Sequence, residues 1–225
     1  MTRVKICGIT NVGDALAACE AGADMVGLNF YPGSSRFVSV EKAAEIREKL
    51  PAGVQAFGVF VNAPPEKIEQ AVKTVRLDAV QLHGDEDRAM VAQIASTAPV
   101  FKALRVGADF SAATLENFPQ ATGFLFDAAD LRPGQYGGTG RLSDWGVAQQ
   151  AARSYKIILA GGLNAQNVAA AILQVRPYGV DVASGVESAP RMKDMQQVAE
   201  FIREARRADQ ELSAPVAEGE RLRAR

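Results

Sequence analysis

The chain has 225 residues, of which 48% are hydrophobic and 23% are charged, and this composition suffices for one α/β domain with a full hydrophobic core. A formal net charge of -1 argues against a nucleic-acid or acidic-membrane partner, because either would favour a clustered basic excess. With two cysteines, no apolar signal core at the N-terminus and no apolar run long enough to span a bilayer, we expect a soluble cytoplasmic protein with reduced thiols.

The chain begins with a pattern typical of a strand, a turn and a helix. Strand side chains alternate between faces, so Lys5 and Cys7 share one face and Cys7 lies at the carboxyl end of the strand. Gly8 allows the turn, and Thr10 or Asn11 can cap the helix that follows. A free cysteine is more often a small buried hydrophobe than a reactive group. This stretch alone therefore leaves both interpretations of Cys7 open.

Short β-branched runs then alternate with longer helical patterns. Strands are predicted at residues 25–30, 55–61, 79–83, 100–105, 123–127, 156–160 and 180–184. Helices are predicted between them, including a shorter one at residues 112–117 and one at residues 143–153. Eight strand-helix units predict an α/β fold, a single-domain (β/α)8 TIM barrel, because parallel strands need helical crossovers and eight strands close the sheet. The main alternative is an open doubly wound sheet.

The C-terminal residues differ in composition from the rest. From Ala208 onward the sequence is dominated by Asp, Glu, Gln, Arg and Ala, with no apolar stripe to bury. Such a segment cannot offset its ordering entropy. We therefore expect the barrel domain to span residues 1–207 and residues 208–225 to form a mobile tail.

Polar residues cluster at the predicted carboxyl ends of the strands, where this fold carries its chemistry. A thiol and a carboxylate that face one cavity can serve as a base and an acid. The residues at these ends are Cys7, Arg36, Gln81, His83, Asp127, Gly161, Gly162, Asp181, Ser184 and Gly185.

Glycines after the seventh and eighth strands indicate an anion site. Gly161-Gly162 and Ser184-Gly185 each follow a strand, and exposed N–H groups at such positions bind phosphate in this fold. The alternative is that these glycines serve only tight turns. A third glycine-rich stretch, residues 137–140, fits no Walker A or dinucleotide pattern and predicts a mobile loop at the active site.

Taken together, six motifs resemble one known family, that of phosphoribosylanthranilate isomerase, the Amadori-type isomerase of tryptophan biosynthesis. They occur in family order between residues 3 and 207. The motifs are Lys5-Ile6-Cys7-Gly8-Ile9-Thr10, Gln81-Leu82-His83-Gly84, Phe126-Asp127, Gly137-Gly138-Thr139-Gly140 with Asp144-Trp145, Ala160-Gly161-Gly162-Leu163 and Ser184-Gly185-Val186-Glu187.

The resemblance implies a (β/α)8 barrel that uses no cofactor and converts N-(5-phosphoribosyl)anthranilate into 1-(2-carboxyphenylamino)-1-deoxyribulose 5-phosphate. By the same resemblance Cys7 corresponds to the general base, Asp127 to the general acid and Arg36 to the group that meets the anthranilate carboxylate. The partner is then a small phosphorylated substrate, and the chain is expected to be a monomer or a homodimer.

Three residues depart from the family pattern. Ser35 replaces a proline before Arg36, which makes the shape of that loop less predictable and leaves a solvent-facing arginine as the alternative. Arg191 replaces a glycine after Pro190, which removes tolerance for positive φ, although its charge can also act near the phosphate. Ser143 replaces an aromatic residue and is expected to loosen the packing of the preceding glycine-rich loop.

Two further residues carry open roles. We group His83 and Asp181 with the substrate-binding residues, but His83 can equally be structural, and Asp181 can bind a sugar hydroxyl or pair with Lys5. His83 is the only histidine, so no metal-ligand spacing is present and no metal is expected.

Two other functions remain as alternatives. One is a related isomerase of histidine biosynthesis, which resembles this chain but has an aspartate in place of Cys7. The other is a catalytically inactive barrel that only binds a phosphorylated ligand or a partner enzyme.

Overall fold

The computed structural model describes residues 1–107, 110–128 and 145–214. Eight parallel strands form a closed barrel in chain order, and the last strand pairs with the first. This closure confirms the predicted (β/α)8 barrel and excludes the open doubly wound sheet. The strands are β1 (Arg3–Cys7), β2 (Met25–Asn29), β3 (Gln55–Phe60), β4 (Ala79–Leu82), β5 (Val100–Val106), β6 (Gly123–Ala128), β7 (Ile157–Leu159) and β8 (Gly179–Val182).

Helices follow most of the strands and cover the outside of the barrel. They are α1 (Val12–Glu20), α2 (Val40–Lys49), α3 (Pro65–Val75), α4 (Arg88–Ala95), α5 (Trp145–Ala151), α6 (Val168–Val175) and α7 (Met195–Ser213). The segment predicted as a short helix after β5 is a 3-10 helix, Ala112–Asn117. A second 3-10 helix, Ser184–Val186, follows β8 and leads into an antiparallel hairpin of β9 (Glu187–Ala189) and β10 (Met192–Lys193).

Local sequence signals explain where several helices begin. Asn11, one of the two predicted caps, accepts a hydrogen bond at its Oδ1 from the backbone N–H of Asp14 at 2.8 Å. Ser39 and Asp87 cap α2 and α4 in the same way. Each cap satisfies one of the backbone N–H groups that the first turn of a helix leaves unpaired.

The barrel interior combines an apolar cluster with buried polar groups. Lys5, Gln81 and Asp181 point inward and are almost completely buried. Burying charged groups is costly unless they are paired, so these three residues are expected to bond to one another. The apolar cluster consists of Met25, Phe57, Ala79, Phe101, Ala103, Leu125, Ile158 and Ala160.

The last helix extends beyond the predicted end of the domain. Helix α7 continues to Ser213, and Ala208 is completely buried. The Asp209 carboxylate accepts hydrogen bonds from the backbone N–H and the hydroxyl of Thr2, at 2.9 and 2.7 Å. Residues 208–213 thus belong to helix α7, and Asp209 binds the N-terminal segment at Thr2. Residues 215–225 lie outside the described residues, and their mobility stays a prediction.

Candidate active site

Cys7 lies at the inner carboxyl end of β1 and is 9% exposed. Gly8 turns the chain away from the barrel with a φ of 76°, a conformation that glycine adopts without a Cβ penalty. Gly27 on β2 leaves room for the thiol, because a Cβ there would lie 2.7 Å from Sγ of Cys7 and 3.1 Å from Nζ of Lys5. The thiol is therefore close to a buried ammonium group.

Lys5 is the central cation of the barrel interior, and its side chain is fully buried. Its Nζ donates to Oδ1 of Asp181 at 2.7 Å and to Oε1 of Gln81 at 3.0 Å. Burial alone would lower the pKa of Lys5, but the Asp181 carboxylate and the Cys7 thiol raise it above its ordinary value. Lys5 is therefore charged, and Asp181 pairs with it, which is one of the two roles that the sequence left open for Asp181.

The surroundings of Cys7 act on its ionisation in opposite directions. Burial raises the pKa of the thiol above its ordinary value, and the Asp181 charge adds to this rise. The charges of Lys5 and Lys193 lower the pKa, as does a hydrogen bond between Lys5 and the thiol. The net effect is a raised pKa, so these two lysines limit the cost of forming a thiolate without removing it.

Asp127 lies at the carboxyl end of β6 and is 6% exposed. His83 directly follows β4, and its Nε2 lies 3.4 Å from Oδ2 of Asp127. The other ring nitrogen, Nδ1, lies 2.7 Å from Nε2 of Gln81, and Oε1 of the same amide accepts a hydrogen bond from Nζ of Lys5. A continuous set of polar contacts thus runs across the barrel from the neighbour of Cys7 to Asp127.

A cavity joins Asp127 to the glycine loops after β7 and β8. Gly161 and Gly162 have φ values of 80° and 64°, and within the described ranges their N–H groups have no hydrogen-bond acceptor. Gly185 lets the two loops touch, because a Cβ there would overlap the carbonyl oxygen of Leu163. Unpaired N–H groups on adjacent glycine loops suit an anion. The lining residues are Asp127, Ala160, Gly161, Gly162, Leu163, Asp181, Val182, Ala183, Ser184 and Gly185.

The guanidinium of Arg36 is held in place by Glu187. Its Nε and Nη2 donate to the two carboxylate oxygens at 2.8 and 2.6 Å, and its backbone N–H donates to Oγ of Ser34 at 3.1 Å. The loop also packs closely on β1, because a Cβ on Gly8 would overlap Cδ of Arg36. Arg36, with a side chain 19% exposed, is therefore not the solvent-facing arginine of the alternative interpretation.

Lys193 on β10 completes what we call the Glu187 cluster, which consists of Arg36, Glu187 and Lys193. Its fully buried Nζ lies 2.9 Å from Oε1 of Glu187 and donates to the carbonyl of Ala183 at 2.9 Å. Burial alone would raise the pKa of Glu187, but hydrogen bonds from Arg36 and Lys193 hold it below its ordinary value. With two cations and one anion, the cluster carries a surplus of positive charge close to Cys7.

Sequence reasoning did not assign roles to Glu187, Lys193 or the ion pair beside His83. Glu187 had a signal, since a charged residue directly follows a glycine loop, whereas Lys193 had none because the hairpin was not predicted. Beside His83, Nζ of Lys102 lies 2.9 Å from Oε2 of Glu86 and donates to the carbonyl of Gly84 at 2.8 Å. This buried pair fixes the loop that carries His83.

Some predicted features lie outside the described residues. These are the glycine-rich loop at residues 137–140 and the positions of Ser143 and Asp144. Within the described ranges, no group of three or more His, Cys, Asp and Glu side chains is arranged to hold a metal ion. In the same part of the chain, no helix is long and apolar enough to cross a membrane.

Known proteins resemble this chain over most of its length. The family model for N-(5'-phosphoribosyl)anthranilate (PRA) isomerase matches residues 4–204. The N-(5'-phosphoribosyl)anthranilate isomerase of Trichlorobacter lovleyi is 49% identical over 209 residues, which cover 92% of this chain and all of the relative. The enzyme of the same name from Rubrobacter xylanophilus is 46% identical over 207 residues, again 92% of this chain and all of the relative.

Solved structures give the same result. The phosphoribosyl anthranilate isomerase of Thermotoga maritima is similar with a TM-score of 0.85 and 43% identity, over 92% of this chain and 99% of that one. A structure of such an isomerase in complex with reduced 1-(o-carboxyphenylamino)-1-deoxyribulose 5-phosphate has a TM-score of 0.81 and 41% identity over the same shares. This chain belongs to the N-(5'-phosphoribosyl)anthranilate isomerase family.

Proposed function

We propose that this chain converts N-(5-phosphoribosyl)anthranilate into 1-(2-carboxyphenylamino)-1-deoxyribulose 5-phosphate in tryptophan biosynthesis, with Cys7 as the general base and Asp127 as the general acid. One observation carries the assignment. Cys7 and Asp127 lie at the carboxyl ends of strands β1 and β6 of one barrel and are connected through the polar contacts of Lys5, Gln81 and His83. The two groups thus belong to a single polar site rather than to separate ones.

The acid step begins the reaction. Asp127 protonates the ring oxygen of the ribose, the bond between that oxygen and the anomeric carbon breaks, and the nitrogen electron pair forms an iminium. Asp127 is supported in this role because it lines the same cavity as the glycine loops after β7 and β8. A phosphate bound by those loops brings the ribose ring to the carboxyl group.

The base step follows ring opening. Cys7 removes the proton from the carbon next to the iminium, and the electron pair of the broken C–H bond forms an enamine that tautomerises to the ketone. Because burial raises the pKa of Cys7, its thiolate needs positive charge nearby. Lys5 and Lys193 supply part of that charge, and the iminium of the substrate adds to it at the moment when the proton is transferred.

Substrate binding uses the two ends of the site. The N–H groups of Gly161 and Gly162, together with the loop at Ser184 and Gly185, bind the phosphate. Arg36 binds the anthranilate carboxylate through the part of its guanidinium that Glu187 does not occupy. The surplus positive charge of the Glu187 cluster favours that carboxylate.

The proposal is tested by following the loss of anthranilate fluorescence when the purified chain is given N-(5-phosphoribosyl)anthranilate. We expect turnover without an added cofactor, and competitive inhibition by inorganic phosphate. A chain that binds the substrate without turnover is the catalytically inactive barrel. Turnover that phosphate does not inhibit at high concentration would contradict the anion site at the two glycine loops.

The oligomeric state and the cellular location of the protein stay predictions. Sedimentation of the purified chain distinguishes the expected monomer from the homodimer. Fractionation of the source cells tests the expected cytoplasmic location.

A further inference from the structure

The contacts between Lys5 and Asp127 follow one path through the side chains of Gln81 and His83. Nζ of Lys5 donates to Oε1 of Gln81 at 3.0 Å, and Nε2 of Gln81 lies 2.7 Å from Nδ1 of His83. Nε2 of His83 lies 3.4 Å from Oδ2 of Asp127. The side chains of Lys5 and Gln81 are buried, so water does not compete freely for the hydrogen bond between them.

The charge of Lys5 fixes which way the Gln81 amide points. An ammonium group only donates hydrogen bonds, so the atom of Gln81 that faces Lys5 must be the carbonyl oxygen. The reversed amide would place its NH₂ group against Nζ, two donors facing each other in a buried site. The NH₂ group of Gln81 therefore faces His83.

The orientation of Gln81 in turn fixes the tautomer of His83. An NH₂ group donates, so Nδ1 of His83 must accept and carries no proton. The ring proton then lies on Nε2, the nitrogen that faces Asp127.

Four other charged residues line the cavity at His83, namely Asp85, Glu86, Lys102 and Arg105. Of these, Lys102 is already bonded to Glu86 and to backbone carbonyls.

We propose that His83 is a positioning residue for the general acid: Lys5 and Gln81 hold it as the Nε2–H tautomer, so that Oδ2 of Asp127 accepts a hydrogen bond from this N–H group and the transferable proton of the carboxyl group is carried on Oδ1. This inference rests on the proposed role of Asp127. The separation of 3.4 Å is long for a hydrogen bond, and catalytic hydrogen bonds commonly shorten when the substrate is bound. After proton transfer the same N–H group stabilises the carboxylate that remains.

The tautomer can be read directly, because His83 is the only histidine of the chain. Long-range ¹H–¹⁵N correlation spectra of the ¹⁵N-labelled protein report each imidazole nitrogen without any assignment problem. We expect Nδ1 to resonate as an unprotonated nitrogen and Nε2 as a protonated one near neutral pH. A protonated Nδ1 in the wild-type protein would overturn the inference.

The variant Gln81→Glu tests the cause of the tautomer. A carboxylate at this position accepts from Lys5 and from His83 alike, so we expect Nδ1 of His83 to become protonated. Gln81→Met is the matched control, since it keeps the length of the side chain but offers neither the NH₂ donor of glutamine nor the carboxylate acceptor of glutamate. If Nδ1 stays unprotonated in Gln81→Glu, Gln81 does not set the tautomer.

Kinetics test the consequence for Asp127. His83→Leu removes the N–H group, and we expect kcat to fall by about 10- to 100-fold, the range for losing a hydrogen bond to a charged group, with a smaller change in KM. His83→Gln can present an amide N–H near the position of Nε2 and should recover much of the loss. Equal activity in both variants, with folding checked by circular dichroism, would point to a merely structural histidine and overturn the inference.

Asp127→Asn separates this inference from the proposed function. If that variant is inactive while the wild-type spectra show a protonated Nδ1, only the positioning role of His83 fails. If Asp127→Asn keeps the wild-type kcat, the general-acid assignment fails, and the role of His83 fails with it.

Discussion

The two sides of the candidate site are controlled by different kinds of contact. Around Cys7 the neighbours are charged: the lysines Lys5 and Lys193 lower the pKa of the thiol, and Asp181 raises it. Around Asp127 the described neighbour in the polar path is His83, held by the neutral amide of Gln81. Among the described contacts, the proposed base thus has charged neighbours, which act over distance, and the proposed acid has a directed contact with His83, which acts through orientation.

This difference has a chemical reason. As the proposed base, Cys7 must become an anion in a buried place, so its ionisation depends on the nearby positive charge. As the proposed acid, Asp127 must deliver a proton to one particular oxygen, so the direction of its carboxyl group matters. Lys5 serves both sides, through its charge at Cys7 and through its bond to Gln81.

The largest effects are expected when either side is removed. Cys7→Ala deletes the proposed base and Asp127→Asn the proposed acid. General acid-base catalysis contributes roughly 10²–10⁴-fold, so kcat should fall at least that far in each variant. KM should change much less, because the reacting groups contribute little to ground-state binding. Steady-state kinetics on the purified variants is the measurement.

The double variant Cys7→Ala/Asp127→Asn tests whether the two residues act in one sequence of steps. Both residues act on one sequence of proton transfers, so the combined loss should be smaller than the product of the two single losses. Circular dichroism of each protein controls for folding. A Cys7→Ala enzyme that keeps more than about a tenth of the wild-type kcat would contradict the assignment of the base.

A second pair of variants should move the pH dependence in opposite directions. Lys5 lowers the pKa of Cys7 and Asp181 raises it. Because the thiolate is the active form, kcat/KM should rise with pH through the Cys7 pKa. Lys5→Met should move that rise to higher pH, and Asp181→Asn should move it to lower pH.

Stability must be measured alongside these profiles. Lys5→Met leaves the Asp181 carboxylate buried without its partner, and breaking a buried ion pair costs about 3–5 kcal/mol. The double variant Lys5→Met/Asp181→Asn should recover part of that loss in urea unfolding. A shift of both single variants in the same pH direction would show that charge is not what adjusts the base.

Arg36→Met should act on binding rather than on chemistry. It removes a charge-assisted contact to a carboxylate remote from the reacting carbon, so KM should rise by about 10- to 100-fold with a smaller change in kcat. Glu187→Gln keeps Arg36 but loosens the two hydrogen bonds that position it. It should raise KM less, because the greater positive charge of the cluster offsets part of the lost positioning. An unchanged KM in Arg36→Met would remove this residue from the substrate site.

Much of this architecture could be predicted from the sequence, because alternation along the chain is local information. The eight strand-helix units, the common face of Lys5 and Cys7 and the cap at Asn11 all follow from short spacings. The inward direction of Asp181 was also predictable from the alternation of side chains along β8. This direction made the pairing with Lys5 one of the two expected roles of Asp181.

The remaining contacts join residues that are far apart in the chain. Arg36 and Glu187 are 151 positions apart, and no local pattern links them. Strands β9 and β10 are too short for their alternation to stand out. Helix α7 continues past Ala208, although the composition there predicts a tail. The reason is that the buried stripe near the C-terminus of α7 consists of small residues such as Ala205 and Ala208, which do not form a recognisable apolar pattern.

The smallest expected effect concerns Arg191, in the hairpin that carries Lys193. Its φ is 73°, so the backbone keeps the left-handed conformation that the glycine of the family pattern would tolerate, although arginine disfavours it. Pro190 before it matches a type II turn, which favours proline followed by glycine. The left-handed conformation costs a non-glycine residue about 1–2 kcal/mol, whereas glycine loses about 0.5–1 kcal/mol of additional entropy on folding.

Arg191→Gly should therefore stabilise the protein by about 0.5–1 kcal/mol, which corresponds to roughly 1–4 °C in Tm for a domain of this size. Arg191→Ala is the matched control, since it removes the same charge but keeps the strained backbone and should give no gain. Thermal unfolding of the three proteins decides the matter: equal stabilisation by both substitutions would mean that the charge of Arg191, and not its backbone, is the unfavourable feature of the hairpin.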